Sequence, residues 1–423
     1  MKIKLNQMQM RRKCVLKKLL AGKCTNKEAA MELDLCKDYI RTLKRKYKKY
    51  GDSILVHGNT GRKPSTMLRQ SEVDRILEIK ELVNAGGKKV YDRITFAHFT
   101  RKLAENYGIR HDHHTIGKIL KAHGYKSIQS RRAKKVARVH ESRPRKEKMG
   151  TLLQGDGTPF DWFGDGKQYC LHGFIDDATK IPTGLYMTKN ECAFGYYESL
   201  RQTLIKYGKP KVLYVDGLSV FFETREPTIA EQLAGTEAKT QFAKAMDELG
   251  VEMIRANTPQ AKGRIERFWT TVQQILPVEL KEHNITTIEE ANAFLPEFIE
   301  YYSRHFSESA QGFDWRPLAD YEKTCLAKIL SVKVERTTDN GCVFSLKNYL
   351  FKAHGAPRQK IVIHLSVQDG IYGITKKGKR VEIEIFDEDS SGNLMPQVWK
   401  DLIDEYFFKD AKMKYRAPYR KAG

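Results

Sequence analysis

LLQGDGTPFDWF, at residues 152–163, opens the part of the sequence that decides the fold, and FIDDATKIPTGLY follows it at 174–186. Short β-rich runs separated by turn-forming residues predict three consecutive antiparallel strands, at 152–163, 169–176 and 181–187. The pattern then predicts a helix at 192–207, a strand at 211–215, a helix at 239–249, a strand at 251–256 and a helix from 263. The order is therefore βββαβαβα, which indicates a mixed five-stranded sheet with helices packed against it.

Three carboxylates fall where such a sheet would bring them together. Asp156 lies in the first strand, Asp216 closes the fourth strand, and Glu266 lies one turn into the last helix. The first and fourth strands are expected to be neighbours, with the helix of Glu266 beside them. Phosphodiester cleavage uses two hard cations about 3.5–4 Å apart that are held by oxygen ligands. The sequence thus predicts a site for divalent cations at these three residues.

These segments, together with LYVDG at 213–217 and ANTPQAKGRIERFW at 256–269, resemble the ribonuclease-H-like catalytic core of DDE transposases and retroviral-type integrases. GDGTPFDWF, at 155–163, is most similar to bacterial insertion-sequence transposases of the ISNCY (IS1202-like) group. The resemblance covers about residues 151–305, and extends more loosely to a tandem helix-turn-helix front and a small C-terminal barrel like that of Mu transposase. It implies that Asp156, Asp216 and Glu266 are catalytic and metal-binding, with two Mg²⁺ ions per active site, Mn²⁺ as a substitute, and DNA strand transfer.

Two features depart from the family pattern. Asp216 and Glu266 are 50 residues apart, which is more than in the compact pattern. The surplus falls at about 218–238, where the polar stretch FFETREPTIAEQLAGTEA is interpreted as an inserted loop. There is also no N-terminal His/Cys zinc module of the retroviral kind, so DNA recognition is assigned to the helix-turn-helix units.

Other acidic residues are weaker candidates for the site. Asp161 is expected to point away from Asp156 if the first strand is regular, and Asp165 follows it closely. Asp176 and Asp177 end the second strand and are interpreted as turn residues. Glu252, on the fifth strand, is the rival to the glutamate of the last helix.

Three cations surround that glutamate, and phosphate contacts are predicted for Lys262, Arg264 and Arg267, with a structural ion pair as the alternative. Trp269 is interpreted as a core residue rather than a platform on which a base stacks.

The distribution of charge points to nucleic acid as the partner. The 423 residues contain 75 Lys and Arg against 52 Asp and Glu, a net charge of +23. Residues 1–150 hold 39 of the basic and 14 of the acidic residues, so the whole excess is N-terminal. Basic side chains that contact phosphates gain affinity from counterion release. A DNA-binding front end on a neutral body is therefore predicted.

Residues 1–58 are predicted to form a first helix-turn-helix domain. Thr25-Asn-Lys-Glu28 is a capping box before the second helix, and the third helix, at 37–50, has an apolar stripe. DNA contacts are predicted for the cations beside that stripe, Lys37, Arg41, Lys44 and Arg45. A solvated basic helix in a three-helix unit is the alternative.

A second helix-turn-helix domain is predicted at 71–125, between basic linkers at 59–70 and 126–148. Its last helix would present Thr115, Lys118 and Lys121 to DNA. A metal site at His111, His113 and His114 is disfavoured because they have no cysteine partners. The linkers contribute Arg62 and Lys63, which fit a minor groove or form a plain linker, and the phosphate-tracking residues Arg131, Arg132, Lys134, Lys135 and Arg138.

The fold class is therefore multi-domain, with all-α helix-turn-helix units, an α/β ribonuclease-H-like core at 149–308, a small all-β barrel at 331–387 and a tail at 388–423. Alternating short strands with Gly turns predict the barrel. The seven cysteines include no C-x-x-C pair, which predicts free thiols. No stretch is apolar enough for a membrane span.

The predicted function is that of a Mg²⁺-dependent DNA transposase, located in the bacterial cytoplasm with the nucleoid. It would bind the terminal inverted repeats of a mobile element as a dimer or larger homo-oligomer, cleave to release 3′-OH groups and join them to target DNA by transesterification. Two alternatives stay open. One is a catalytically silent DNA-binding regulator domesticated from a transposase, and the other is a metal-dependent nuclease without strand transfer.

Overall fold

The computed structural model describes residues 6–57, 67–128, 144–223, 238–256, 263–347, 349–366, 368–385 and 400–409. It divides into two compact units, Met1–Arg75 and Ile76–Gly423. Some predicted DNA contacts lie outside the described residues, namely Arg62, Lys63, Arg131, Arg132, Lys134, Lys135, Arg138 and Lys262.

The first unit is built on three helices, α1 (Gln7–Leu20), α2 (Asn26–Leu33) and α3 (Lys37–Tyr50). The capping box that the sequence predicts is present, since Thr25 and Glu28 accept each other's backbone N–H groups. The apolar residues of the three helices form one small core, which contains Val15, Leu16, Leu19, Ala29, Ile40, Leu43 and Tyr47. Burial of this shared apolar face stabilises helices that are too short to be stable alone.

Three further helices precede the sheet, α4 (Gln70–Lys80), α5 (Phe96–Tyr107) and α6 (His113–Ala122). Thr95 caps α5 and Asp112 caps α6 with side-chain oxygens. Phe99 and Leu103 of α5 and Ile116 and Leu120 of α6 are fully buried. Helix α5 therefore packs on α6 through its apolar stripe, and the assignment of either trihelical group as a helix-turn-helix stays a prediction.

The mixed five-stranded sheet that the sequence predicts is confirmed. Its strands are β1 (Leu152–Phe160), β2 (Tyr169–Asp176), β3 (Pro182–Thr188), β4 (Val212–Val215) and β5 (Glu252–Arg255). Their order is β3-β2-β1-β4-β5, with β1 antiparallel to β2 and parallel to β4. The helices α7 (Ala193–Lys206), α8 (Gln241–Leu249), α9 (Gly263–Glu282) and α10 (Ile288–Phe306) accompany it.

Separate apolar cores cover the two faces of the sheet. Leu153, Phe174 and Leu213 pack with residues of α7 and α8, whereas Leu171 and Leu185 pack with residues of α9 and α10. The outer strand β3 lies so close to α7 that a Cβ atom on Gly184 would be 2.0 Å from the backbone oxygen of Ser199. The close packing of β3 on α7 therefore leaves no room for a side chain at position 184.

We expect Gly184→Ala to destabilise the second unit by about 1–3 kcal/mol or more, because backbone rather than a flexible side chain must move. Urea unfolding at fixed m-value measures the effect. Gly263→Ala is the matched control, since a Cβ there meets nothing within 4 Å and alanine favours a helix by about 0.5–1 kcal/mol. Equal stability of the two variants would contradict the close packing of β3 on α7.

The C-terminal strands form a six-stranded antiparallel sheet that is nearly closed into a barrel. After the short helices α11 (Asp320–Thr324) and α12 (Leu326–Ile329), its strands are β6 (Val332–Thr337), β7 (Val343–Leu346), β8 (Tyr349–Ala353), β9 (Lys360–Ser366), β10 (Gly370–Thr375) and β11 (Arg380–Ile385). Their order is β6-β9-β10-β11-β8-β7. The edge strands β6 and β7 approach each other, and Arg336 Nε donates to Ser345 O at 2.9 Å. The predicted barrel is thereby confirmed.

Part of the segment that the sequence treats as a tail belongs to the core. Leu402 and Phe407 are 2% exposed and join the core that the sheet and the barrel share. The seven cysteines are free, as predicted. Among the described helices, none has the length and apolar character needed to cross a membrane.

Candidate active site

Strand register places Asp156 beside Asp216. Gln154 of β1 pairs with Tyr214 of the parallel strand β4, so Asp156 and Asp216, each two residues further on, reach the same level of the sheet. Asp216 directly follows the last residue of β4 and is 8% exposed, while Asp156 is half-buried. The first and fourth strands are thus neighbours, as the sequence predicts, and each carries one aspartate at the level where β4 ends.

The glycines that flank these aspartates lie close to neighbouring side chains. A Cβ on Gly155 would lie 2.5 Å from the ring of Phe174, and one on Gly217 would lie 2.4 Å from Arg255 Nη2. On Gly157 it would lie 2.8 Å from Glu191 Oε1. Phe174 is fully buried, so position 155 has no space for a side chain, whereas the atoms nearest Gly157 and Gly217 are the ends of flexible side chains.

A buried phenol reports that the carboxylates lie near one another. Burial, reinforced by Glu191, Asp156 and Asp216, raises the pKa of Tyr196 well above its usual value. Its hydroxyl donates a hydrogen bond to Glu191 Oε1. The same Glu191 and Asp156 contribute, after burial, to a raised pKa of the Cys170 thiol. Negative charge from three carboxylates is therefore concentrated around Tyr196, an environment that a divalent cation would stabilise.

Hydrogen bonds orient both aspartates. Trp269 Nε1 donates to Asp156 Oδ2 at 3.2 Å, and the backbone N–H of Leu218 donates to Asp216 Oδ1 at 3.1 Å. Trp269 is 5% exposed. The prediction that it belongs to the core describes its ring, while its N–H is used at the site.

Glu266 lies on α9, the helix that runs alongside β1. Ile265 N donates to Gln154 Oε1 at 3.3 Å and Gln273 Nε2 donates to Thr158 Oγ1 at 2.9 Å, so α9 runs along the strand that carries Asp156. Glu266 is exposed, between the residues that make these contacts. Its carboxylate is thus on the solvent side of the helix rather than in the core.

The three carboxylates of the predicted triad are not drawn tightly together. Among the described residues, the acidic, histidine and cysteine side chains include only one group of three whose ligand atoms lie within 4.8 Å of one another, Asp112, His113 and His114 on the surface. Oxygen ligands on two adjacent strand ends and a nearby helix nonetheless suit Mg²⁺, which binds through one or two carboxylates and retains waters. The rival Glu252 pairs with Val212, four residues and roughly 13 Å along β4 from Asp216.

The cations near Glu266 divide into two kinds. Arg264 forms an ion pair with Asp177, whose side chain is fully buried and also accepts from Gln154 Nε2 at 2.9 Å. Arg267 is exposed and pairs with no acidic residue in the part of the chain that the structure describes. Asp177 is thus a buried link between β1 and α9 rather than only a turn residue, while Asp176 does close the turn by accepting from Thr179 N at 2.8 Å.

The other predicted residues that the structure describes belong to a turn and to two helices outside the sheet. Asp161 and Asp165 follow β1 in a turn, where Asp161 accepts the N–H groups of Asp165 and Gly166. On α3, Lys37, Arg41 and Arg45 are exposed and Lys44 is half-buried. On α6, Lys118 and Lys121 are exposed and Thr115 is half-buried. Glu191 and Tyr196 were missed, because only the fold brings residues before and within α7 beneath Gly157.

Two known proteins are similar to this chain over most of its length. The chain is 30% identical to the transposase for insertion sequence IS1202 of Streptococcus pneumoniae, over 93% of this chain and 86% of that protein. It is also 30% identical to y4bF of Sinorhizobium fredii, named a candidate transposase, over 92% of this chain and 83% of that protein. No family model matches the chain. The HTLV-2 integrase catalytic core, solved with magnesium, aligns with 35% of this chain and 84% of its own length at 17% identity and a TM-score of 0.26.

Proposed function

Since this chain belongs to the family of insertion-sequence transposases that includes the IS1202 enzyme, we propose that it is a DNA transposase with its active site at Asp156, Asp216 and Glu266. In this proposal it binds the terminal inverted repeats of its element, cleaves at the element ends to release 3′-OH groups, and joins them to target DNA. The observation that carries the proposal is the placement of Asp156 and Asp216 at the same level of two neighbouring parallel strands, beside the helix of Glu266.

The three residues would hold two Mg²⁺ ions, or Mn²⁺ in their place. Bound there, the ions would supply activation of the attacking oxygen and stabilisation of the leaving oxygen. The chain's own contribution is to position the ligands. Trp269 fixes the orientation of Asp156 and the N–H of Leu218 fixes that of Asp216, and exposed Glu266 faces the solvent from which DNA arrives.

DNA recognition is proposed for the two trihelical groups, through Lys37, Arg41, Lys44 and Arg45 on α3 and through Thr115, Lys118 and Lys121 on α6. The net charge of +23, with its excess before residue 150, favours this role. Bringing two element ends together requires a dimer or larger assembly on DNA. A cytoplasmic location with access to the nucleoid is part of the same proposal.

Cleavage of end DNA tests the proposed activity. The protein is incubated with Mg²⁺ and a labelled duplex that carries an end of the element, and the products are resolved on a denaturing gel. We expect a nick that leaves a 3′-OH, followed by joining of that end to a second duplex. Cleavage without joining would contradict the proposal in favour of a nuclease, and binding without cleavage would contradict it in favour of a silent regulator.

Base reading by α3 has its own test. Arg41→Gln together with Arg45→Gln should lower the preference for end DNA over random DNA about tenfold or more, because each bidentate contact to a base discriminates by about 1–3 kcal/mol. Fluorescence anisotropy with both duplexes measures this ratio. Lys48→Gln with Lys49→Gln is the control, since these exposed residues end the same helix and carry the same charge. An equal loss of preference in both variants would contradict base reading by α3.

A further inference from the structure

Four basic side chains surround a cavity of about 160 Å³ next to the start of α9. They come from distant parts of the chain: Arg145 precedes β1, Lys180 lies in the turn between β2 and β3, and Arg264 and Arg267 begin α9. An aromatic wall completes the cavity, formed by Phe268, Tyr302 and Phe306. We call these four cations and their cavity the basic pocket.

The charges of the basic pocket are only partly balanced. Glu308 pairs with both Arg145 and Lys180, and Asp177 pairs with Arg264. Asp176, at the base of the pocket, is occupied by hydrogen bonds from Gly150 N and from the N–H and hydroxyl of Thr179.

The cations lie close enough to repel one another. The pKa of Lys180 is lowered, first by burial and then by the positive charges of Arg145, Arg267 and Arg264. The pKa of Arg145 is lowered by burial and then by Arg264. Cations that share a partly buried cavity against their mutual repulsion are stabilised when an anion enters.

The basic pocket is linked to the strand of the proposed active site. Gln154 and Asp156 are two residues apart and lie on one face of β1, about 6.7 Å apart. Gln154 Nε2 donates to Asp177 Oδ1 at 2.9 Å, and the same Oδ1 atom accepts from Arg264. Two side chains, those of Asp177 and Gln154, therefore connect Arg264 of the pocket to the strand that carries Asp156.

From this geometry we propose that the basic pocket binds a phosphodiester of the DNA substrate, next to the one that reacts. Planar guanidinium groups match phosphate oxygens bidentately, and Phe306, the half-buried member of the aromatic wall, offers an apolar surface to the adjoining sugar. The inference rests on the proposed function and deepens it. It adds Arg145 and Lys180 as substrate-positioning residues, with Glu308 as the carboxylate that a phosphate displaces.

Two variants with opposite expected effects test the pocket. Binding of the full chain to end DNA is measured by anisotropy in EDTA over a range of salt concentrations, so that no cleavage interferes. Arg145→Gln with Lys180→Gln should weaken binding about tenfold and lower the slope of log affinity against log salt by roughly 1. Glu308→Gln should tighten binding, because the displaced carboxylate is gone. Lys376→Gln with Lys377→Gln, an exposed pair in the turn before β11, is the charge-matched control.

The position of the phosphate follows from chemically altered DNA. Single uncharged methylphosphonate linkages are placed one by one in the end duplex. At one position near the cleavage site, the difference between the protein and Arg145→Gln/Lys180→Gln should disappear. A purely structural role would instead weaken binding in Glu308→Gln as well, and bulk attraction would give the Lys376→Gln/Lys377→Gln control the same loss. Either result would contradict phosphate binding by the basic pocket. The cleavage assay of the unaltered protein remains the separate test of the proposed function.

Discussion

Asp216→Asn is expected to lower DNA cleavage and joining by several orders of magnitude while leaving affinity for end DNA nearly unchanged. The substitution keeps the size of the side chain and removes the negative charge that would hold a divalent cation at the end of β4. Asp216 is 8% exposed and accepts a hydrogen bond from Leu218 N, so the amide of asparagine fits the same position. Single-turnover cleavage with Mg²⁺ measures the loss, and anisotropy in EDTA measures binding.

Asp165→Asn is the matched control, because Asp165 lies in the turn after β1 and bonds to Lys167 N and Tyr169. It should retain full activity. Glu266→Gln should resemble Asp216→Asn, whereas Glu252→Gln should resemble the control. Full activity in Glu266→Gln together with a loss in Glu252→Gln would show that the third carboxylate is on β5.

Lys102→Ala is expected to destabilise the protein by about 3–5 kcal/mol, because it leaves buried carboxylates without their partner. Lys102 of α5 donates to Glu279 at 2.7 Å and to Glu282 at 2.6 Å, and its side chain is 5% exposed. His98 Nε2 lies 3.3 Å from the other oxygen of Glu279. Tyr91 also donates to Glu282, so one buried charged cluster fastens α5 to α9.

Urea unfolding measures this effect, with Lys323→Ala as control. Lys323 forms an ion pair with Asp320 in which both side chains are mostly exposed, so its loss should cost less than about 1 kcal/mol. Replacing the lysine and its two glutamates together, by Lys102→Met, Glu279→Met and Glu282→Leu, should restore most of the stability. No ammonium or carboxylate group of the cluster then stays buried. A Lys102→Ala variant as stable as Lys323→Ala would mean that water reaches these carboxylates.

The cluster also fixes how stability depends on pH. Burial raises the pKa of Glu279, but bonds from His98 and Lys102 outweigh burial and lower it below 4.5. Burial lowers the pKa of Lys102, but Glu279 and Glu282 outweigh this and raise it above 10.5. A lowered glutamate pKa gives stability that is present above 4.5 and lost as pH falls through the folded value. A raised lysine pKa gives stability that is present below 10.5 and lost as pH rises through the folded value.

Local patterns predict the sheet well, because alternation, turn residues and short lengths mark strands one by one. The same patterns place Asp156 in the first strand, and its role as a metal ligand stays a prediction. What sequence patterns do not give is contact across long separations. Lys102 meets Glu279 across 177 residues, and Trp269 meets Asp156 across 113. Phe407 packs beside Phe194 with a ring distance of 6.3 Å, although its segment is predicted to be a C-terminal tail.

Helix α9 connects the proposed active site to the buried charged cluster. Its first turn carries Glu266, and its last turns carry Glu279 and Glu282 in the buried charged cluster. At 1.5 Å per residue, Glu266 and Glu282 are about 24 Å apart on one rod. Under the proposed function, in which α6 contacts DNA, a shift of α5 would be passed along α9 to Glu266. Pro277 lies between the two ends and removes one backbone hydrogen bond. We therefore expect the helix to bend most easily at this residue.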